Sequence, residues 1–364
     1  MAIYKSVIEM IGDTPMLELT NFDTGPCRLL LKLESQNPGG SIKDRIGLSM
    51  IEAAESNSDI APGGTIIEAT AGNTGLGLAL VAAQKGYKML VIVPDKMSQE
   101  KIFHLNALGA QVMMTRSDVT KGHPDYYQDV AERLSGEIEN SFWVNQFSNP
   151  ANPQAHEEST GPEIWAQTEG QIDAMVCGVG SGGTITGLAR YFKSVKPSVE
   201  MILADPEGSI LAGLVNDGEP GELGSWLVEG IGEDFVPPNC DIDLIARAYT
   251  IPDQESLATA RELLSREGIL AGSSSGTLLA AALRFCREQT AAKTVVSLMP
   301  DSGNKYLSKM YNDFWMTDQG FIQRPQHGDL RDLITRPFDD RAVVAAGPDD
   351  TLMSAYGRMR MADV

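Results

Sequence analysis

The chain has 364 residues, 42% of them hydrophobic, and a formal net charge of −20 at pH 7. That length can fill two or more domains; no apolar run approaches the roughly eighteen residues needed to cross a bilayer; and so acidic a chain repels nucleic-acid backbones and anionic membrane surfaces. Four cysteines (Cys27, Cys177, Cys240, Cys286) and four histidines are scattered without metal-ligand spacing, which excludes a clustered metal site and a disulfide framework. The N-terminal stretch "MAIYKSVIEMIGDTP" lacks the apolar core of a signal peptide, so a cytoplasmic protein is expected.

Strand candidates in chain order are "RLLLKLE", "GTIIEAT", "KMLVIVP", "AQVMMT", "FWVNQF", "DAMVCGV", "EMILADP" and "KTVVSLMP". Between several of them lie helical patterns: "GLGLALVAAQKG", "SQEKIFHLNALG", "YYQDVAERLSGE" and "TGLARYFKSV". Short, nearly continuous apolar strands alternating with helices predict an α/β protein whose mostly parallel sheets are covered on both faces. That many strands exceed one comfortable sheet, so two lobes with a cleft between them are expected. Residues 322–330 are polar and aperiodic and read as a linker; residues 331–364 start a fresh pattern of helix, short strand, cap and helix. So short a piece cannot bury its own core; it either packs on the main body or begins a larger module that is cut short.

Four stretches carry chemistry. In "NPGGSIKDR", Pro38, Gly39 and Gly40 break regular structure and Ser41 is a candidate N-cap for the helix that follows. Lys43 then falls in the first turn, where the helix dipole disfavours a cation. Either it is an exposed amine softened by Asp44, or it is not meant to stay an ammonium. In "EATAGNTGLGLAL", a strand ends and a helix begins near Asn73 and Thr74, an ordinary capped loop or a ligand loop at a strand's carboxyl end. In "CGVGSGGTITG", Gly178, Gly180, Gly182 and Gly183 with Ser181 and Thr184 make an anion-binding nest at a helix start, the local device an acidic chain needs to hold a phosphate. The same letters satisfy G-x-G-x-x-G (Gly178, Gly180, Gly183), with Asp205 about twenty residues on, so a nicotinamide-dependent dehydrogenase is the rival reading. That rival starts its fingerprint in mid-chain and leaves Lys43 and Asn73 without a task. In "LMPDSGNKYLSK", Ser302 ends the last core strand. A lysine amine, a phosphate cradle, a hydrogen-bonding Asn and a hydroxyl form the set that pyridoxal phosphate requires.

Taken in order, "NPGGSIKDR", "GNTGLGLA", "GVGSGGTITG" and "PDSGNKYLSK" closely resemble the fold-type-II pyridoxal-phosphate enzymes, the cysteine synthase and cystathionine β-synthase family, over about residues 3–322. The resemblance implies a two-lobed, tryptophan synthase β-like fold with the cofactor in the cleft. Residues 1–43 and 146–321 would form the larger lobe, and residues 44–145 the smaller, mobile substrate-loop lobe. It implies Lys43 as the Schiff-base lysine and acid/base, Asn73 at the ring 3′-oxygen, and Gly180, Ser181, Gly182, Gly183 and Thr184 around the phosphate. Ser302 would face the pyridine nitrogen, where a hydroxyl makes the ring a weaker electron sink suited to β-elimination. Thr70, Ala71, Gly72 and Thr74, with Gln146, match the substrate-carboxylate contacts. The family commonly has serine where this chain has Ala71, a lost hydroxyl worth ~1 kcal/mol of hydrogen bonding.

Within that family, "WLVEGIGEDFVPP" looks like the cystathionine β-synthase branch, with Glu229 and Gly230 as implied substrate contacts and Asp234 close behind. "ADPEGS" and "WMTDQGF" point the same way, and the tail "GPDDTLMSAYGRMRMADV" resembles the first half-motif of a Bateman-type regulatory repeat (a CBS domain), a simple terminal helix being the plainer alternative. This predicts condensation of serine with homocysteine to cystathionine and water, with hydrogen sulfide-producing side reactions; the alternative is an O-acetylserine sulfhydrylase, that is, a cysteine synthase. Glu229 either meets homocysteine's amino group or is an exposed loop carboxylate. The chain begins almost directly at "IGDTPMLELT", without the Cys- and His-bearing extension of haem-binding variants, so no haem is expected. The partners expected are small molecules and a second copy in a homodimer, with no nucleic acid and no membrane. A non-catalytic binding protein on the same fold would have no use for an intact Lys43 and all three loops.

Overall fold

The strands sort into two sheets whose carboxyl ends converge. The first comprises β1 (Met16–Glu18), β2 (Arg28–Lys32) and, far along the chain, β7 (Ala174–Cys177), β8 (Glu200–Pro206), β9 (Arg247–Ile251) and β10 (Thr294–Leu298). The second comprises β3 (Thr65–Ala69), β4 (Lys88–Pro94), β5 (Gln111–Thr115) and β6 (Ser141–Trp143). The six-stranded sheet runs β1-β2-β10-β7-β8-β9, parallel except for the β1–β2 pair; the four-stranded sheet runs β5-β4-β3-β6, all parallel. This computed structural model describes residues 3–70, 72–95, 99–119, 122–323, 328, 330 and 344–361.

Helices α1 (Lys43–Asn57), α2 (Asn73–Lys85), α3 (Gln99–Ala107) and α4 (Tyr127–Glu137) accompany the smaller sheet. α5 (Ala151–Ala155) continues through a π turn, His156–Thr160, into α6 (Gly161–Gln167). α7 (Gly183–Val195), α8 (Leu211–Asp217), α9 (Asp253–Glu267) and α10 (Ser273–Glu288) belong to the larger sheet's part of the chain. All four residues of β7, and all but the first of β3, β4 and β10, are buried, because helices cover both faces and leave no polar side to alternate with. The α/β class with mostly parallel sheet is therefore as the apolar runs predict.

Three local readings change. The run "FWVNQF" keeps strand structure only to Trp143, because Asn145 turns left-handed at φ +48° and ends it. β1 and β9 carry no sequence signal; β1 is three residues long, and β9 is a half-exposed edge strand. Ser41 is not the N-cap of α1: Ile42 holds that place, and Ser41 lies one residue earlier, its Oγ accepting from the Lys43 N–H at 3.3 Å.

α1 and α2 cross at two glycines. A Cβ on Gly47 would lie 2.8 Å from the Gly77 carbonyl carbon, and one on Gly77 would lie 2.6 Å from the Lys43 carbonyl oxygen. Both obstacles are backbone and cannot swing away. Gly→Ala inside a helix ordinarily stabilises by up to ~1 kcal/mol, but Gly77→Ala is expected to destabilise by about 1–3 kcal/mol through overpacking. It should also shift the start of α1, where Lys43 sits. Gly136→Ala in α4, with nothing within 4 Å of the added Cβ, is the control and should gain stability. Thermal melts of the two variants check the opposite signs.

The chain divides into two compact units, residues 1–307 and 308–364. In the second, the Asn312 carboxamide oxygen accepts from the Phe314 N–H at 2.9 Å to cap α11 (Asp313–Asp318). Thr351 Oγ1 accepts from the Ser354 N–H at 3.1 Å at the start of α12 (Leu352–Met361). Parts of the expected linker (324–327, 329) and of the expected regulatory segment (331–343, 362–364) lie outside the described residues. Among the described residues no helix is long and apolar enough to cross a membrane.

Candidate active site

A cavity of about 1090 Å³ opens in the first unit, at the carboxyl ends of β3, β4, β7 and β10. This is where parallel sheets leave loop backbone and helix N-termini free to meet a ligand. Its wall brings together Lys43, Thr70, Gly72, Asn73, Thr74, Gln146, Gly180, Ser181, Gly182, Thr184, Glu229 and Gly230. Two sequence-predicted residues stand outside that wall. Gly183 opens α7, and a Cβ there would strike the Asn152 side chain, so its bareness serves packing behind the loop. Ser302 caps a short 3-10 turn, its Oγ accepting from the Asn304 N–H at 3.3 Å, while its neighbour Asp301 faces the cavity. Ala71 lies outside the described residues.

Backbone stitching fixes the lysine. Gly40, at φ +80°, turns the chain. The Ile42 N–H then donates to the Pro300 carbonyl at 2.8 Å, and the Ser302 N–H donates to the Gly40 carbonyl at 3.3 Å. Lys43 is thereby pinned to the end of β10. The glycines of residues 178–184 are equally forced: a Cβ on Gly180 would lie 2.5 Å from the Gly230 carbonyl oxygen, and one on Gly182 would lie 2.7 Å from the Cys240 nitrogen. α7 follows at once, so its N-terminal end and the loop's amide groups present positive dipoles to the cavity.

Burial lowers the Lys43 pKa from its ordinary value, with the Asp301 carboxylate acting in the opposite direction. An amine so placed gives up its proton more readily than a surface lysine. Burial raises the Asp301 pKa, while Lys305, Asn73, Tyr306 and Lys101 favour its charged form. Asp301 Oδ2 accepts from Asn73 Nδ2 at 2.8 Å and from the Tyr306 hydroxyl at 2.9 Å, and Asn73 Oδ1 accepts from Lys305 Nζ at 2.6 Å. The Asn73 amide is thus held by a charged pair, with its second Nδ2 hydrogen left for a ligand. Thr74 donates to Gln146 Oε1 at 2.6 Å, which ties the loop after β3 to the second predicted carboxylate contact.

Lys101, on α3, was not singled out by sequence. Its Nζ lies 2.5 Å from Glu229 Oε2, with the two side chains 9% and 28% exposed. One lysine in "SQEKIFHLNALG" looks like any solvated helix charge until the fold brings residue 229 opposite. Asn152 and His156 behind the glycine loop were missed for the same reason.

The dehydrogenase rival fails on position. Asp205 is buried and accepts the Ala212 N–H at 2.8 Å near the start of α8, and it has no place in the cavity wall that a ribose would need. Pyridoxal phosphate fits the residues present: a desolvated amine, a glycine nest whose missing side chains are sterically required, and a clamped amide all face one cavity.

The model of the family described as pyridoxal-phosphate dependent enzyme matches residues 7–301. The chain belongs to that family, and its two-lobed α/β architecture is that of a fold-type-II member. It is 43% identical over 324 residues to the cystathionine beta-synthase of Apis mellifera, which covers 88% of this chain and 64% of that protein. It is 42% identical over 301 residues to the cysteine synthase A of Escherichia coli (strain K12), covering 82% of this chain and 92% of the relative. A crystal structure of a hydrogen sulfide-producing enzyme from Fusobacterium nucleatum superposes with a TM-score of 0.77 at 36% identity, covering 84% of this chain and all of that one. The chain thus spans less than two thirds of the length of the Apis mellifera relative.

Proposed function

We propose that this chain condenses L-serine with L-homocysteine to cystathionine and water. The observation that carries the choice of substrates is the Lys101–Glu229 pair inside the cavity. Even a partly buried ion pair costs desolvation and is a weak device for stability alone. It is, however, the complement of an amino acid's own head group: Glu229 for an ammonium and Lys101 for a carboxylate. Sulfide, the acceptor in the cysteine synthase reading, is a small anion with no ammonium–carboxylate head group for the pair to match. The similarity to cysteine synthase A keeps that second reading in view.

Bound pyridoxal phosphate supplies the electron sink for charge developing at the substrate's Cα. The remaining work falls to the chain. Thr70, Gly72, Thr74 and Gln146 hold the first substrate's carboxylate. Lys43 Nζ, its pKa lowered by burial, takes the Cα proton and later returns it, and helps the serine hydroxyl depart as water. The loop of residues 178–184 holds the cofactor phosphate. The network Asp301–Asn73–Lys305 fixes the amide that meets the ring oxygen.

Paired incubations analysed by mass spectrometry test this, one with serine and homocysteine, the other with O-acetylserine and sulfide. Cystathionine is expected to form faster than cysteine; cysteine dominating would move the chain to the cysteine synthases. Lys101→Ala and Glu229→Gln are each expected to raise KM for homocysteine by about tenfold while changing KM for serine little. Equal effects on both substrates would remove the pair from the acceptor site.

A further inference from the structure

We propose that Asn152 and His156 are positioning residues that order the two hydroxyls of the anion cradle, so that Ser181 and Thr184 each turn a proton outward to the cofactor's phosphate. The proposal rests on the reading of residues 178–184 as that cradle.

Asn152 and His156 are buried, one helical turn apart on α5 and the start of the π turn. They reach the cradle because α7 is bare where they press against it. Gly183 makes room for Asn152, and a Cβ on Gly187, one turn further, would lie 2.8 Å from the His156 Cβ. The π turn adds a residue just there, a local distortion found most often at functional sites.

The direction of each hydrogen bond follows from what its partners can do. Asn152 Nδ2 lies 2.8 Å from the Gln146 carbonyl oxygen, which only accepts, so the amide nitrogen and not its oxygen must face that way. The same Nδ2 lies 2.9 Å from Ser181 Oγ and donates to it. Ser181 accepts from behind and keeps its own proton for whatever lies in front. His156 Nε2 lies 3.2 Å from Thr184 Oγ1, and its Nδ1 lies 2.9 Å from Thr160 Oγ1. Burial, with the positive charges of Lys43 and Arg45, holds the ring neutral, so it carries one N–H only. A phosphate oxygen only accepts, so Thr184 must donate forward and accept from behind. That places the ring proton on Nε2 and makes Nδ1 the acceptor of the Thr160 hydroxyl proton. The two chains, Asn152 to Ser181 and Thr160 through His156 to Thr184, give the cradle donors only. Unaided, each hydroxyl could rotate and offer a lone pair to the anion.

Equilibrium binding of pyridoxal phosphate and of pyridoxal, which lacks the phosphate, to the full chain reads the ratio of the two affinities. His156→Phe, which keeps a ring and removes the donor, is expected to lower that ratio about tenfold. His156→Gln, whose amide nitrogen reaches to where Nε2 stood, should keep it within about twofold. A ratio unchanged in His156→Phe, or lowered equally in both variants, overturns the proposal while leaving the cradle reading intact. An unaltered chain that does not prefer the phosphorylated ligand overturns both. Nitrogen-15 NMR of the unaltered, histidine-labelled holoenzyme needs no variant to fold apart from the one that assigns the signal. Of the four histidines, His156 should be a neutral Nε2–H tautomer across the neutral pH range, and an Nδ1–H tautomer would sink the idea.

Discussion

A Lys43→Ala chain is expected to fold and still take up pyridoxal phosphate, but without a covalent link, and to lose β-replacement turnover by about 10³-fold or more. Among the described residues two other amines come near the cavity, and neither can stand in. Lys101 Nζ is held at 2.5 Å by Glu229, and Lys305 Nζ at 2.6 Å by Asn73 Oδ1. Among the described lysines, Lys43 alone combines a pKa lowered by burial with a backbone stitched to the end of β10. Borohydride reduction followed by peptide mass mapping separates the cases. The unaltered chain should carry the cofactor's mass on the peptide that contains Lys43, and the variant should carry none. Label on Lys101 or Lys305, or undiminished turnover in Lys43→Ala, would remove Lys43 from its assigned place.

The largest stability effect should come from a residue that never reaches the cavity. Glu34 is fully buried and accepts from Arg45 Nε at 2.7 Å, Arg45 Nη2 at 2.8 Å, Thr14 Oγ1 at 2.6 Å and Asn37 Nδ2 at 2.9 Å. Arg45 also grips Glu163, at 2.6 and 2.7 Å, and Glu163 accepts from Lys32 Nζ at 2.7 Å. Two buried cations are therefore balanced by two carboxylates. Glu34→Ala leaves one carboxylate for both, and breaking a buried pair in this way costs about 3–5 kcal/mol. The thermal midpoint should fall by roughly 10 °C; a fall of a degree or two would mean that water enters and solvates Arg45. The same network sets the acid limb. Burial alone would raise the Glu163 pKa, but Arg45 and Lys32 hold it at about 2 against an ordinary 4.5. Because the folded value is the lower, Glu163's contribution is complete above pH 4.5 and is lost as the pH falls through 4.5 toward 2. Glu163→Gln should flatten the loss of stability over that range.

The parts of this molecule that sequence reveals are those in which one local stretch must satisfy a steric or chemical rule by itself. Gly180 and Gly182 are legible because no side chain fits their positions, and Lys43 because a cation at a helix start is out of place. The buried parallel strands are legible because both faces are apolar. What stays hidden depends on a partner far along the chain. Lys101 means nothing without Glu229, and His156 nothing without Thr184. Ser302 is legible as the end of the last core strand, but that its Oγ also accepts the Asn304 N–H and caps the turn that follows depends on the local backbone. β1 and β9 escape because a short edge strand, covered by little, has no need of an apolar pattern.

The strand order has a consequence for how the chain is made. β10, at residues 294–298, lies between β2, at residues 28–32, and β7. While the protein is being synthesised, β2 emerges early and has only the short β1 beside it until nearly three hundred residues have left the ribosome. The four strands of the smaller sheet, by contrast, are contiguous in sequence and can pair as soon as residue 143 appears. Contacts between distant segments carry the higher closure entropy and form late. The larger sheet is thus closed by the strand that is third of six in position and last in time, and the same insertion carries Pro300 and Asp301 to Ile42 and Ser41. A chain interrupted before β10 would lack the strand that pins Lys43, so assembly of the sheet and completion of the catalytic pocket are one event.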